Sequence, residues 1–159
     1  MTTLGGDCSV SVAPFSELAR RYGDDLAVIW IDSHPDIGIP RSEYPGYHAM
    51  AVAAWGIWSF SPEELRPPMR PLLDWLAVTG CSRVAVHFDV DAVDSREVLL
   101  GLGAEPDGLT GGQVRRIVAD IDGAADVVAL TIAEFFPRQV MHLRQILSGF
   151  PLLSATRAD

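Results

Sequence analysis

Two short runs of this chain close on side chains that bind cations: Asp32-Ser33-His34-Pro35-Asp36 and Asp89-Val90-Asp91. Carboxylates are hard, charged ligands, and several of them packed together repel unless a cation sits between them. Carboxylates mixed with one imidazole suit manganese, iron, cobalt, nickel or zinc better than calcium. A carboxylate that bridges two such ions holds them roughly 3.5–4 Å apart over a shared ionised water, a nucleophile at neutral pH. A lone Asp after a strand more often caps a turn. D-x-H-x-D and D-x-D together in one small domain point instead to a site for one or two divalent cations.

The elements around these runs fit that placement. Val28-Ile29-Trp30-Ile31 leads into the first run and Val84-Ala85-Val86-His87-Phe88 into the second. Apolar runs of this length read as buried strands of a parallel sheet, whose carboxyl ends are where ligands bind in open α/β folds. A third strand, Asp126 to Ile132, ends at Ala133-Glu134 and places a further acid at the same edge. A turn-rich start, Gly5-Gly6-Asp7-Cys8-Ser9, precedes a helix that stops near Gly23. After the Pro/Gly-rich loop from Pro35 to Gly46, a short helix is expected over His48 to Trp55 and a short strand over Ile57 to Phe60. Ser61-Pro62-Glu63-Glu64 opens a helical turn, and Pro71 suits the first turn of a helix through Leu72, Leu73 and Leu76.

A long loop, Ala92 to Leu109, runs to the clearest helix in the chain. Thr110 and Gln113 form a capping box, Val114, Ile117, Val118 and Ile121 follow at helical spacing, and Gly123 is read as the stop. A last helix covers about Arg138 to Leu147, with Val140, Leu143 and Leu147 on one face. Strands alternating with helices predict an α/β fold with a parallel sheet.

With 159 residues the chain is read as one domain, residues 1–159, with a frayed tail over 151–159. An apolar fraction of 48% and a mean hydropathy of +0.20 fit a buried sheet. No apolar run reaches the roughly 18 residues of a membrane span and no basic-then-apolar leader opens the chain, so the cytoplasm is the expected location. The net charge of −9 argues against nucleic acid and anionic membranes as partners. All twelve basic residues are Arg. Two cysteines, Cys8 and Cys81, make no disulfide framework and suit a reducing compartment.

The remaining polar residues divide by position. His48, above the expected site, is placed to shuttle protons, whereas His87 lies within a strand and reads as a hydrogen-bonded core residue. His142 lies mid-helix on the surface, and Cys81 reads as core filler. Asp94 is open between shaping its loop and touching the ion, and Glu134 between site and cap. The four Trp residues read as packing.

Together these residues resemble the ureohydrolase superfamily of arginase, agmatinase and formiminoglutamase. The family pattern of a G-G-D-H-S loop, a D-A-H-x-D strand end, a D-x-D-x-x-D strand end and a later Glu-x-x-Pro is matched in order. It falls here on Gly5 to Ser9, Asp32 to Asp36, Asp89 to Asp94, and Glu134-Phe135-Phe136-Pro137. The resemblance implies a three-layer α/β/α fold and one or two manganese ions. It implies that Asp32 and Asp89 bridge the ions, that Cys8 and Asp36 complete one site, and that His34 and Asp91 complete the other. It further implies a bridging hydroxide that attacks a guanidinium carbon and releases urea, with Glu134 holding the guanidinium and His48 passing the proton.

Three departures qualify the match. The first-loop His of the family is Cys8, a softer ligand that suits manganese poorly. The Asn two residues past D-A-H-x-D, which helps arginase grip an amino acid, is Gly38, so arginine itself is not favoured. The chain is also about half the family length, with Asp89 only 41 positions after His48, as in a reduced arginase-like fold lacking N-terminal and central segments. The run Val84 to Val93 also resembles the D-x-D-x-[TV] signature of haloacid-dehalogenase-type phosphatases, but that chemistry calls for a Lys and the chain has none. The expectation is therefore a metal-dependent hydrolase of linear amidines or guanidino compounds acting on a small substrate. The alternative is a catalytically inactive metal-binding or assembly module. With so much apolar surface in a small chain, a homo-oligomer is expected.

Overall fold

Six consecutive residues after Arg83 are buried, which makes Arg83–Asp89 the central strand of the molecule. In this computed structural model, which describes residues 1–36, 59–65 and 70–153, the strands are β1 (Thr2–Leu4), β2 (Leu26–Ile31), β3 (Arg83–Asp89) and β4 (Asp126–Ala133). They form one sheet in the order β1-β4-β3-β2, and every pairing is parallel. The helices are α1 (Val12–Tyr22), α2 (Arg70–Thr79), α3 (Gly111–Ala124) and α4 (Val140–Ile146).

Alternation along the strands divides the sheet into two faces. Val84, Val86, Phe88, Val127, Leu130 and Ile132 point to one face. There they pack with Leu72 and Leu76 of α2, with Val114, Ile117, Val118 and Ile121 of α3, and with Leu143 and Ile146 of α4. Ala85 and Ala129 point to the other face, where Phe15 and Leu18 of α1 cover them together with Val28 and Trp30. Helices on both faces give the three layers expected.

Local chemistry sets the element ends. Gly23, at φ 55°, closes α1 as expected. Asp25 accepts hydrogen bonds from the Ser82 backbone N–H at 2.6 Å and the Ser82 hydroxyl at 2.9 Å, and pairs with Arg83, which ties the start of β2 to the start of β3. The capping box of α3 is present in full: Thr110 Oγ1 accepts from the Gln113 N–H at 3.1 Å, and Gln113 Oε1 accepts from the Thr110 N–H at 2.6 Å.

Five points depart from expectation. Thr2–Leu4 is a strand, too short and too close to Gly5-Gly6 to register as one in the sequence. Gly123 does not stop α3; the helix runs on to Ala124 and ends where Ala125 turns extended. The buried face of α4 is Leu143 and Ile146, while Val140 is exposed. Ser59 and Phe60 carry no strand; the rest of that segment and the expected helix over His48 to Trp55 lie outside the described residues. Of the tail expected to fray, Pro151–Leu153 forms a turn after the buried Phe150, and residues 154–159 lie outside the described residues.

One irregularity interrupts the β3–β4 pairing. Val84 pairs with Val127, but Ala85 pairs with Ala129, so Val128 is an extra residue, a β-bulge, in β4. Beyond it His87 lies opposite Thr131 and Asp89 opposite Ala133.

Candidate metal centre

Every strand delivers a ligand-type side chain just past its carboxyl end. After β1 the chain turns tightly at Gly5, where a Cβ would meet the Val10 side chain at 2.6 Å, so only glycine fits. Asp7 Oδ1 then accepts from the Ser9 N–H at 2.9 Å, which opens a 3₁₀ turn, Cys8–Ser11, and carries Cys8 under the sheet edge. Asp32 follows β2, Asp89 ends β3, and Asp91 follows in a second 3₁₀ turn, Val90–Ala92. Glu134 follows β4 in the left-handed region at φ 60°.

Cys8, Asp32, Asp89 and Asp91, but not Glu134, converge with His34 and His87 in two groups that share Asp32. Cys8, Asp32, His87 and Asp89 form the first, with ligand atoms all within 4.8 Å of one another. Asp32, His34 and Asp91 form the second within the same limit. In the first, the Cys8 thiol donates to Asp89 Oδ2 at 2.8 Å and lies 3.6 Å from Asp32 Oδ2. In the second, His34 Nδ1 lies 3.0 Å from Asp91 Oδ2 and 3.6 Å from Asp32 Oδ1. The two differ in access: Cys8 and Asp89 are buried, whereas the His34 side chain is 54% exposed.

The electrostatics of the buried group are those of uncompensated like charge. Burial, reinforced by the Asp32 and Asp91 charges, pushes the Asp89 carboxyl up to about 8. Burial, with Asp36 and Asp91 adding to it, pushes Asp32 up to about 7. Burial and the neighbouring carboxylates push the Cys8 thiol up as well. Among the described residues no Arg pairs with Asp32, Asp89 or Asp91. Protons stabilise such a cluster at low pH, and a divalent cation does the same work at neutral pH by displacing them.

His87 is the residue the sequence left in the core. It is fully buried, its ring stacks on Trp30 with centroids 3.7 Å apart, and burial pushes its pKa down to about 3, so the ring is neutral. Nδ1 is held by the Ser11 hydroxyl at 2.8 Å and the Thr131 hydroxyl at 3.0 Å. Nε2 has no hydrogen-bond partner among the described residues. Leaving such a buried group unsatisfied costs about 1–3 kcal/mol. The available signal was alternation: His87 stands two residues before Asp89 and shares its face of β3.

Other expected residues separate. Asp36 is buried, at φ 46°, and acts electrostatically on Cys8 and Asp32, but belongs to neither group. Glu134 is at the same edge, outside both groups. His48 lies outside the described residues. Asp94 shapes its loop, accepting from the Arg96 N–H at 2.9 Å. His142 is exposed on α4, with Nδ1 2.9 Å from Gln139 Oε1. Trp30 does more than pack: its indole N–H donates to Asp32 Oδ2 at 3.0 Å and so fixes the shared carboxylate. Glu105, in the loop before α3, brings Oε1 to 3.9 Å from His34 Nε2, and nothing in a loop sequence marks it out.

A parallel α/β domain with a carboxylate-rich cluster at its strand ends, of a kind that could hold a cation, is the class that fold and site define. The Arginase family model matches residues 1–58. The chain is 41% identical over 56 residues to the arginase of Emericella nidulans, covering 32% of this chain and 17% of that protein. It is 34% identical over 98 residues to the mitochondrial Arginase-2 of Homo sapiens, covering 60% of this chain and 26% of that protein. The matched stretches thus span about a quarter or less of those relatives' own length. The arginase of Entamoeba histolytica, solved with L-ornithine, superposes with a TM-score of 0.76 at 17% identity, covering 94% of this chain and 69% of that one. The agmatine ureohydrolase of Thermoplasma volcanium gives a TM-score of 0.66 at 22% identity, covering 92% and 59%. At those identities the structures speak for the fold. The family match concerns residues 1–58, and the superposed structures show an arginase-like fold.

Proposed function

We propose that the protein is a divalent-cation-dependent hydrolase that cleaves a C–N bond of a small linear guanidino or amidino compound and releases urea. The observation that carries this reading is the pair of donor groups meeting at Asp32, on a fold shared with arginases and an agmatine ureohydrolase. The donor set fits a divalent transition metal: Asp32, His34 and Asp91 would hold one ion, and Cys8, Asp32 and Asp89 a second, with Asp36 beside them. Such an ion, when bound, supplies Lewis acidity and makes a water nucleophilic near neutral pH.

The chain's own residues supply the rest. Asp32, shared and clamped by Trp30, sets the spacing between the two groups. Glu134 presents a carboxylate at the end of β4, where a guanidinium cation would find its complement. Glu105 and Asp91 flank His34 on the open side and hold its ring. His48 is the residue we assign to proton transfer, on the strength of the family resemblance.

A second reading is favoured by one observation, the Cys8 thiol hydrogen-bonded into Asp89 where the family carries an imidazole. On that reading the chain is a catalytically silent metal-binding or assembly module. Urea release from a panel of guanidino and amidino compounds, with manganese, cobalt, nickel and zinc supplied in turn, separates the two. Urea production that is lost in Asp32→Asn supports the hydrolase. Metal binding without urea from any compound supports the module.

A further inference from the structure

We propose that His87 is a metal ligand, and that Cys8, Asp32, His87 and Asp89 form a thiolate–imidazole–dicarboxylate site that selects zinc over manganese. The inference rests on the divalent-cation reading above and deepens it by assigning one of the two sites its fourth donor and its metal.

The first argument is geometric. One imidazole nitrogen of His87 lies within 4.8 Å of the Cys8 sulfur and of a carboxylate oxygen from each of Asp32 and Asp89. A single ion can therefore reach four donors brought by the ends of β2 and β3 and the turn after β1. His87 is fully buried, and Nε2 has no partner among the described residues. A core histidine kept for packing and hydrogen bonding would be expected to satisfy both nitrogens.

The second argument concerns the shell around the ring. A metal-bound histidine characteristically uses its other nitrogen to grip a hydrogen-bonding group, which fixes both tautomer and ring plane. Ser11 and Thr131 grip Nδ1 here, and they hydrogen-bond each other at 2.6 Å. Trp30 stacks on the ring and at the same time orients Asp32 through its indole N–H. The partners of His87 thus hold the ring still through Nδ1 and leave Nε2 without a hydrogen-bond partner among the described residues.

The donor set decides the metal. Manganese favours oxygen, whereas thiolate and imidazole favour zinc, which also stands above manganese in the general affinity order. Four protein donors make a closed site of the kind that holds zinc firmly. The neighbouring group has three donors and an exposed His34, which leaves it open to solvent. On binding, zinc replaces the thiol proton of Cys8, which leaves to solvent, and forms a bond to the thiolate.

The test uses the full chain loaded with zinc, or with cobalt(II) as its coloured stand-in. Cobalt is expected to give a thiolate-to-metal charge-transfer band in the near ultraviolet that disappears in Cys8→Ser. X-ray absorption of the zinc form should show a sulfur scatterer, and a nitrogen scatterer that survives His34→Ala. His87→Gln, which keeps a polar group against Ser11 and Thr131, should weaken zinc by at least the roughly 10–100-fold that losing an outer partner costs. The wild-type spectra carry the test if that variant folds poorly. Zinc bound without sulfur, without nitrogen once His34 is removed, or with unchanged affinity in a folded His87→Gln overturns this proposal and leaves the divalent-cation reading standing. A wild-type chain that binds no divalent cation overturns both.

Discussion

Cys8 and His87 show what single residues disclose and what they conceal. The acidic runs and His34 were legible because their types and spacing are unusual outside a cation site, whereas the first-loop position was legible only through the family resemblance. His87 was not, since an imidazole in an apolar strand looks the same whether it packs or ligates. Only the strand pairing, which sets it against Trp30 and Thr131, separates the two. Glu105 was hidden for a different reason: it reaches His34 through a loop, where periodicity carries no information. The thiol gives the residue-scale prediction. Cys8→His replaces the soft donor by a neutral imidazole, so manganese occupancy at modest metal concentration should rise and any hydrolytic rate with it. Metal analysis after dialysis checks this, and equal manganese content in the two proteins would rule it out.

Among the elements, β2, β3, β4 and α3 were legible because their patterns are long and their neighbours agree with them. β3 is apolar throughout since both of its faces are covered, and α3 combines a strict apolar stripe with a complete capping box. β1 escaped because three residues cannot establish a period, and its strand state comes from pairing with β4 rather than from propensity. The end of α3 was misplaced at Gly123 because a glycine tolerates the helical backbone as readily as it stops it. At this scale the cap can be weighed. Thr110→Ala removes one half of the box and should cost about 1 kcal/mol. For a domain of this size that lowers the melting temperature by roughly 2–4 °C. Calorimetry would show it, and an unchanged midpoint would mean the box is redundant with the packing of α3.

The molecule as a whole leaves surface uncovered among the described residues. β1 stands at one end of the sheet with nothing described beyond it. Beside it Leu4 is 65% exposed, and Leu4, Phe135, Val140, Leu143, Leu147 and Leu153 line one groove. An unpaired edge next to exposed apolar side chains is a template for another chain. We propose that copies of this protein associate symmetrically through that end, which buries the edge and the groove together. Light scattering coupled to size exclusion should show a defined oligomer that Leu4→Lys weakens. A monodisperse monomer at tens of micromolar would sink the idea. No described helix is long and apolar enough to cross a membrane.

The bulge at Val128 has a consequence for how this protein tolerates change in length. Val127 points to the α3 side and Ala129 to the α1 side, with Val128 doubling up on the α1 side between them. Strike out Val128, and the two halves of β4 join in phase, with every other side chain still facing its own layer. Strike out Val86 in the partner strand, and either Ala85 or His87 must change sides. The chain thus carries one spare letter in a text otherwise read in strict alternation. A Val128 deletion should keep the far-ultraviolet circular dichroism and the rise in melting temperature on adding zinc, while a Val86 deletion should lose both. Equal damage from the two would show that the extra residue is needed for more than its phase.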